Sequence, residues 1–369
     1  MGIDDRLKDE LGRLASADPS GAYEKVVAKY IRRRVLRKAQ AGALVVAVVV
    51  GTAFGFYGLT QVFRSSSPTP GGSPAQPAVA PSNGAIAYVM GSGVERSEIY
   101  VVDPMAGSPE RIAEIDGFVS GLDWSPDGRL LAFGLHPDGL HPDGGIFVMD
   151  AAGNGLRRLS EPGLAAWGVS WSPDGERIAS AVSVEGPGED AIYVMNADGS
   201  DAHVITRAPE IGPTLDWSPD GGRIVFEGPG PEGASGGWDI YVVNADGSGL
   251  RNITNDPAVD LDPQWSPDGS QIVFRSRRSS PPDTEISPNN SPDEIYVMAP
   301  DGSNVTRLTN DRVIDQDPVW SPDGSLIAFD RQEGESSIWT MRPDGTGLAP
   351  VSGTRGGFRP AWQPVPVES

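Results

Sequence analysis

The sequence predicts an all-β fold, a six-bladed β-propeller closed by pairing of its C-terminal strand with its N-terminal blade. One transmembrane helix and a short helical cytoplasmic stub precede it. Three observations predict this. A Trp-Ser-Pro-Asp-Gly motif recurs every 42 to 55 residues through the last three quarters of the chain, at Trp124, Trp171, Trp217, Trp265 and Trp320, with a degenerate copy, AWQP, at Trp362. A charge-free apolar run of 23 residues lies upstream of the repeats at 41–63. The chain has 47 glycines and 34 prolines, as expected of many short elements joined by turns.

Residues 1–40 form the stub. DDRLKDELGRLA carries Leu7, Leu11 and Leu14 at helical spacing. PSGAYEKVVAKYIRRRVLRK then brings Tyr23, Val26, Val27, Tyr30 and Ile31 onto one face of a second helix. Forty residues bury little core, so the stub reads as a stop-transfer flank or a docking element for a cytoplasmic protein.

Residues 41–63, AGALVVAVVVGTAFGFYGLTQVF, would span about 34 Å as a helix, enough for a hydrocarbon core of roughly 30 Å. Arg32, Arg33, Arg34, Arg37 and Lys38 stand immediately before it, and only Arg64 follows closely. The positive-inside rule therefore puts the N-terminus in the cytoplasm and the C-terminal body outside the cell membrane. A cleaved signal peptide would need a shorter n-region and a shorter apolar run. Gly51 and Gly55 make a GxxxG with Gly58 a turn further on, a spacing that permits helix pairing and is also ordinary in membrane helices. Residues 64–84, RSSSPTPGGSPAQPAVAPSNG, are rich in Ser, Pro and Gly and predict a disordered, extended stalk.

Residues 85–364 carry the repeats. After each intact WSPDG comes a short apolar strand (LLAF, RIAS, RIVF, QIVF, LIAF), then a second (IFVMD, IYVMN, IYVVN, IYVMA, IWTMR), a turn such as ADGS, and a fourth strand such as RNIT. Four strands per unit is the pattern of a propeller blade. In Ser-Pro-Asp-Gly the proline presets one corner and glycine tolerates the exit, while the tryptophan packs between neighbouring sheets, so the motif is architecture first. The order begins without a Trp strand and ends with one and nothing more (FRPAWQP), so closure joins the two ends.

WSPDG…IAF…IYVM…DG…RLT resembles the WD40-like, TolB-type (PD40) β-propeller repeat, in five good copies and one split copy. The resemblance implies non-enzymatic protein binding, or service as the propeller half of a larger hydrolase. The chain departs from the periplasmic protein that gives the family its name, having an anchor and stalk where that protein has an α/β domain and a cleaved signal, so that protein's partners do not carry over. It looks more like the anchored propellers of high-GC Gram-positive bacteria.

All four lysines lie in residues 1–40, and the net charge of -21 combines +5 in the residues up to Arg64 with -26 in the rest, an acidic body that excludes nucleic acid as a partner and favours cations or basic surfaces. Absence of cysteine excludes disulfides and thiolate chemistry. The SPDG and ADG turns fall on one face. The irregular loops at 134–145, 182–191, 227–239 and 275–294 fall on the other, where binding is expected. TNDPAVDLDPQWSPDG (254–269) and TNDRVIDQDPVWSPDG (309–324) agree at 11 of 16 positions. They place Asp260 and Asp262, and Asp315 and Asp317, where the chain enters the innermost strand beside the channel mouth. Alternation on a strand would turn both members of each pair to the channel, as candidate ligands of a hard cation such as Ca²⁺; capping of loop backbone is the competing role. His136, Asp138, His141 and Asp143 repeat HPDG, which offers Zn²⁺ ligands or records a duplicated turn. GASGG at 233–237 matches G-x-S-x-G but not its strand-to-helix context, and His203 falls in an outer strand, so no triad is arguable. Asn252 and Asn304 head glycosylation sequons inside the repeated outer strand. The expected function is a membrane-anchored, extracytoplasmic binding or scaffold module for a protein, peptide or envelope glycan. The alternatives are a metal-assisted lyase or hydrolase at the channel mouth, and a sensor that signals through the stub.

Overall fold

The computed structural model describes residues 82–91, 96–136, 144–162, 164–183, 190–208, 210–230, 237–278, 292–311 and 313–365. The stub, the apolar run at 41–63 and nearly all of the stalk lie outside the described residues, among which no helix is long and apolar enough to cross a membrane.

The described residues form six four-stranded antiparallel sheets. Blade 1 contains β1 (Ser82–Met90), β2 (Arg96–Val102) and β3 (Glu110–Asp116). Blade 2 contains β4 (Phe118–Trp124), β5 (Leu130–His136), β6 (Gly145–Asp150) and β7 (Arg157–Arg158). Blade 3 is β8 (Ala165–Trp171), β9 (Arg177–Ser183), β10 (Asp190–Asn196) and β11 (His203–Ala208). Blade 4 is β12 (Leu215–Trp217), β13 (Arg223–Pro229), β14 (Trp238–Asn244) and β15 (Arg251–Asn252). Blade 5 is β16 (Asp260–Trp265), β17 (Ile272–Ser276), β18 (Glu294–Met298) and β19 (Thr306–Arg307). Blade 6 is β20 (Ile314–Trp320), β21 (Ile327–Glu333), β22 (Glu335–Met341) and β23 (Ala349–Pro350). The innermost place in blade 1 is filled by β24 (Phe358–Val365), which pairs antiparallel with β1, Trp362 opposite Ile86. The closure expected from strand order is therefore present. β1 begins at Ser82, inside the stretch read as stalk, and its Asn83 bonds Ser325 and the Asp323 N–H of blade 6.

The outer strand is two residues long in blades 2, 4, 5 and 6, where the repeats suggested four. A stub of ladder leaves little unpaired edge for a second chain to extend.

The core consists of layers between blades rather than a single centre. Each of six apolar clusters joins neighbouring sheets, and the last sets Ile86, Tyr88, Val102 and Trp362 of blade 1 against Ala328, Ile338 and Val351 of blade 6. All six repeat tryptophans are buried in these layers.

The turn chemistry holds the blades in register. In each intact SPDG turn the Asp carboxylate accepts from the Ser hydroxyl and from a backbone N–H two residues on, as Asp220 does from Ser218 (2.5 Å) and Gly222 (3.0 Å). The ADG-type turn of each blade leans on the outer strand of the blade before it. Gly302, at φ +88°, sits so close to the Ile253 carbonyl that a β-carbon would lie 1.9 Å from that oxygen. The repeated letters on this face are thus consumed by packing.

Candidate functional site

Inner strands β4, β8, β12, β16, β20 and β24 surround a channel with a cavity of about 90 Å³, room for roughly half a dozen waters or one small polar group. Two positions of the repeat line it. Three residues before each tryptophan stand Gly121, Gly168, Thr214, Asp262, Asp317 and Arg359, forming an upper ring nearest the irregular face. One residue before each stand Asp123, Ser170, Asp216, Gln264, Val319 and Ala361, forming a lower ring of which all but Ala361 line the cavity.

The upper ring is lopsided because its charges come from blades 5, 6 and 1 while blades 2 and 3 contribute only glycine. Asp262, Asp317 and Arg359 adopt left-handed φ of +54°, +49° and +55°. Each lies at a bulge, with register shifts between Leu261 and Gln264, between Gln316 and Val319, and between Ala87 and Val89 opposite Phe358. A bulge adds a residue to one strand and re-aims the side chains that follow.

This corrects the expected geometry of the paired aspartates. Simple alternation would turn both members of a pair to the channel, whereas the bulge divides them. Asp262 and Asp317 line the channel. Asp260 and Asp315, with no exposed surface, turn into the blade. There Asp260 accepts from Ser276 (2.5 Å) and pairs with Arg278, and Asp315 pairs with Arg331 at 3.3 Å. The chain has no lysine here, but arginines from the adjoining strands neutralise the inward carboxylates. Glu294, Asp311 and Asp315 bring carboxylate oxygens within 4.8 Å of one another, interleaved with Arg307, 2.6 Å from Glu294, and with Arg331.

Beneath Asp262 runs a buried chain of charges that the sequence reading missed. Asp262 donates its N–H to Glu227 Oε2 (2.8 Å), and its carboxylate receives the Thr214 hydroxyl (3.1 Å) and pairs with Arg275. Arg275 also meets Asp293 at 3.0 Å, and Asp293 accepts from Gln316 (3.0 Å) and Arg277 (2.7 Å). Blades 4, 5 and 6 are thereby tied by one network.

The lower ring is a belt of latches. Asp123 accepts the Trp171 N–H (2.6 Å), Ser170 that of Trp217 (3.3 Å), Asp216 that of Trp265 (2.8 Å) and Gln264 that of Trp320 (2.5 Å). The signal was legible in the aligned repeats, which place Asp, Ser, Asp and Gln before four of the tryptophans.

Burial in the channel wall pushes Asp123 up to about 7 despite bonds from Trp171, Trp124 and Ser170, and raises Asp216 well above the carboxylate range, with Asp123 adding to the effect. Burial likewise takes Asp315 to about 7 against the pull of Arg331, and Asp260 to about 6 against Arg278. Burial and the nearby Asp262 take Glu227 to about 8. Asp123, Asp216 and Glu227, which have no pairing arginine of their own, hold protons in the folded state that the unfolded chain has released above about pH 4, so each contributes stability that is lost as pH rises to its folded value. The turn aspartates, such as Asp174, Asp220 and Asp246, are lowered mainly by their Ser hydroxyls and contribute in the opposite sense, losing stability below about pH 4. Thermal unfolding is therefore expected to peak near pH 5, with Tm falling between pH 5 and 8. A Tm that rises over that interval contradicts this assignment.

His136 ends β5, whereas Asp138, His141 and Asp143 lie outside the described residues, as does Ser235 of GASGG. His203 opens β11, exposed, its Nδ1 2.8 Å from the Asp201 carbonyl. Asn252 donates to Asp239 (2.7 Å) and is committed to the fold. The irregular loops are described mainly where they leave their strands, on the upper-ring side.

Residues 61–226 match the family model of the TolB beta propeller domain, PD40. Among solved structures, TolB from Acinetobacter baumannii is 20% identical, with 76% of this chain and 67% of that chain covered at a TM-score of 0.61. A putative TolB from Agrobacterium tumefaciens is also 20% identical, covering 74% of this chain and 100% of its own at 0.59. Hydrazine synthase of Kuenenia stuttgartiensis is 15% identical, covering 81% and 51% at 0.63. At these identities the likeness is one of fold. A comparison with curated proteins finds no match.

Proposed function

We propose that this chain, which carries a TolB-type β-propeller, is a non-enzymatic binding module held at the outer side of the cell membrane by residues 41–63. Its partner is a protein, peptide or envelope glycan that docks on the irregular face. The observation that carries this reading is the upper ring. Asp262, Asp317 and Thr214 present oxygens to the channel on one side, Gly121 and Gly168 leave the other without side chains, and the closed ring of blades holds the arrangement.

The same ring supports the candidate cation. Asp262 and Asp317 would supply the protein oxygens to an ion such as Ca²⁺, a hard cation suited to carboxylates. Asp260 and Asp315 belong to that site only if Arg278 and Arg331 let them go, and Asp262 joins Asp317 in it only in competition with Arg275. A bound cation would supply charge compensation and a fixed oxygen geometry for the partner.

The test uses a soluble form beginning at Ser82, because starting at residue 85 would cut away Asn83 and its bonds to blade 6. Immobilised protein is expected to capture one envelope component, with Asp317→Asn abolishing capture while Tm stays within a few degrees. Calorimetric titration with Ca²⁺ decides whether the ion is part of the site. Capture that is indifferent to Asp262→Asn and Asp317→Asn rules out the channel mouth, and turnover of the captured component rules out a purely binding role.

A further inference from the structure

The lower-ring belt is incomplete. Four blades present an oxygen to the N–H of the next blade's tryptophan, but blade 6 presents Val319 toward Trp362, and blade 1 presents Ala361 toward Trp124. Neither side chain has an acceptor. Both gaps flank one strand, β24. Two further observations converge there. The β1–β24 pairing has two register shifts, between Asn83 and Ile86 and between Ala87 and Val89, while every other pairing of the fold has at most one. The Tyr88 hydroxyl, in the middle of β1 and wholly buried, has no hydrogen-bond partner among the described residues. An irregular ladder and an unsatisfied buried hydroxyl both lower the free energy needed to separate the strands.

Residues 351–357 join β24 to β23, with Gly353 and Gly356 at φ +81° and +82° and Thr354 accepting the Ile338 N–H (3.0 Å). The side-chain bonds that hold β24 shut, Arg359 Nη1 to the Val119 carbonyl (2.9 Å) and Gln363 Nε2 to the Gly128 carbonyl (2.8 Å), arise within the strand itself. Any second strand of the same sequence re-forms them unchanged.

We propose that the propeller opens reversibly at this one seam, β24 leaving β1, and that the exposed edge of β1 accepts the same strand from a second copy of this chain. The occupant is fixed by complementarity, since the pocket between blades 6 and 1 is filled by Trp362 and the upper ring completed by Arg359. Exchange of an identical element costs no contact in the closed state and makes dimers by mass action.

The experiment uses the full chain and a labelled synthetic peptide spanning residues 356–369. Uptake of the peptide well below Tm is expected, while a scrambled peptide stays free. Backbone amides of β1 and β24 are expected to exchange with deuterium at least about tenfold faster than those of β9 and β10. Val319→Asn restores an acceptor for Trp362 and is expected to slow uptake roughly fivefold, the effect of one net hydrogen bond. Ala361→Ser does the same toward Trp124 and serves if the first variant folds poorly. No uptake, equal uptake of the scrambled peptide, or a rate unmoved by both variants overturns the proposal.

Discussion

A chain ending at Gly357 is expected to melt ten degrees or more below the full chain and to aggregate on warming. The deletion removes β24, and with it the inner strand of blade 1, Trp362 from the layer between blades 6 and 1, and Arg359 from the upper ring. A buried tryptophan removes on the order of 200 Å² from water, which at about 25 cal/mol per Å² is roughly 5 kcal/mol before ladder bonds are counted. For a propeller of this size each kcal/mol moves Tm by about 2 to 4 °C. The shortened chain also leaves β1 as a long apolar edge, the feature that closed rings abolish. Scanning fluorimetry with light scattering measures both effects. An unchanged Tm means the ring does not close through this strand, and the alignment of the six inner strands fails with it.

Arg275→Ala is expected to be the most damaging single substitution in the channel wall, at about 3 to 5 kcal/mol, the usual cost of removing one member of a buried ion pair. Arg275 is nearly inaccessible and pairs with both Asp262 and Asp293. Without it Asp262 is left without a cation beside Glu227, whose proton affinity it already raises, and Asp293 keeps only Arg277. The loss should shrink as pH falls from 8 to 5, because orphaned acids can then take up protons. Arg275→Lys should recover only part of the stability, since an ammonium cannot reach both carboxylates with the fixed fork of a guanidinium. Equal destabilisation at pH 5 and pH 8 would mean that Arg275 acts through packing alone.

The propeller was legible because each blade is specified by local chemistry. Ser-Pro-Asp-Gly fixes a turn whatever surrounds it, and the Asp-to-Ser bond that secures it spans two residues. Strand order alone placed Trp362 beside the first blade. The paired aspartates were legible as a repeat but not in their orientation. Whether a side chain enters the channel depends on the bulge that recurs in the inner strands of blades 1, 2, 3, 5 and 6, a backbone feature formed with the neighbouring strand and not spelled by residue type. Arg275 and Glu227 went unnoticed because they occupy ordinary strand positions in different blades, and their partners lie 13 and 35 residues away.

By itself the sequence determined the fold, the number of blades and the means of closure, since turns and strand periodicity depend on neighbours along the chain. Which carboxylates face the channel and which are neutralised by arginine were decided only by tertiary structure. Those properties belong to rings assembled from six separate strands, where burial and charge are set by residues that meet only after the toroid has closed.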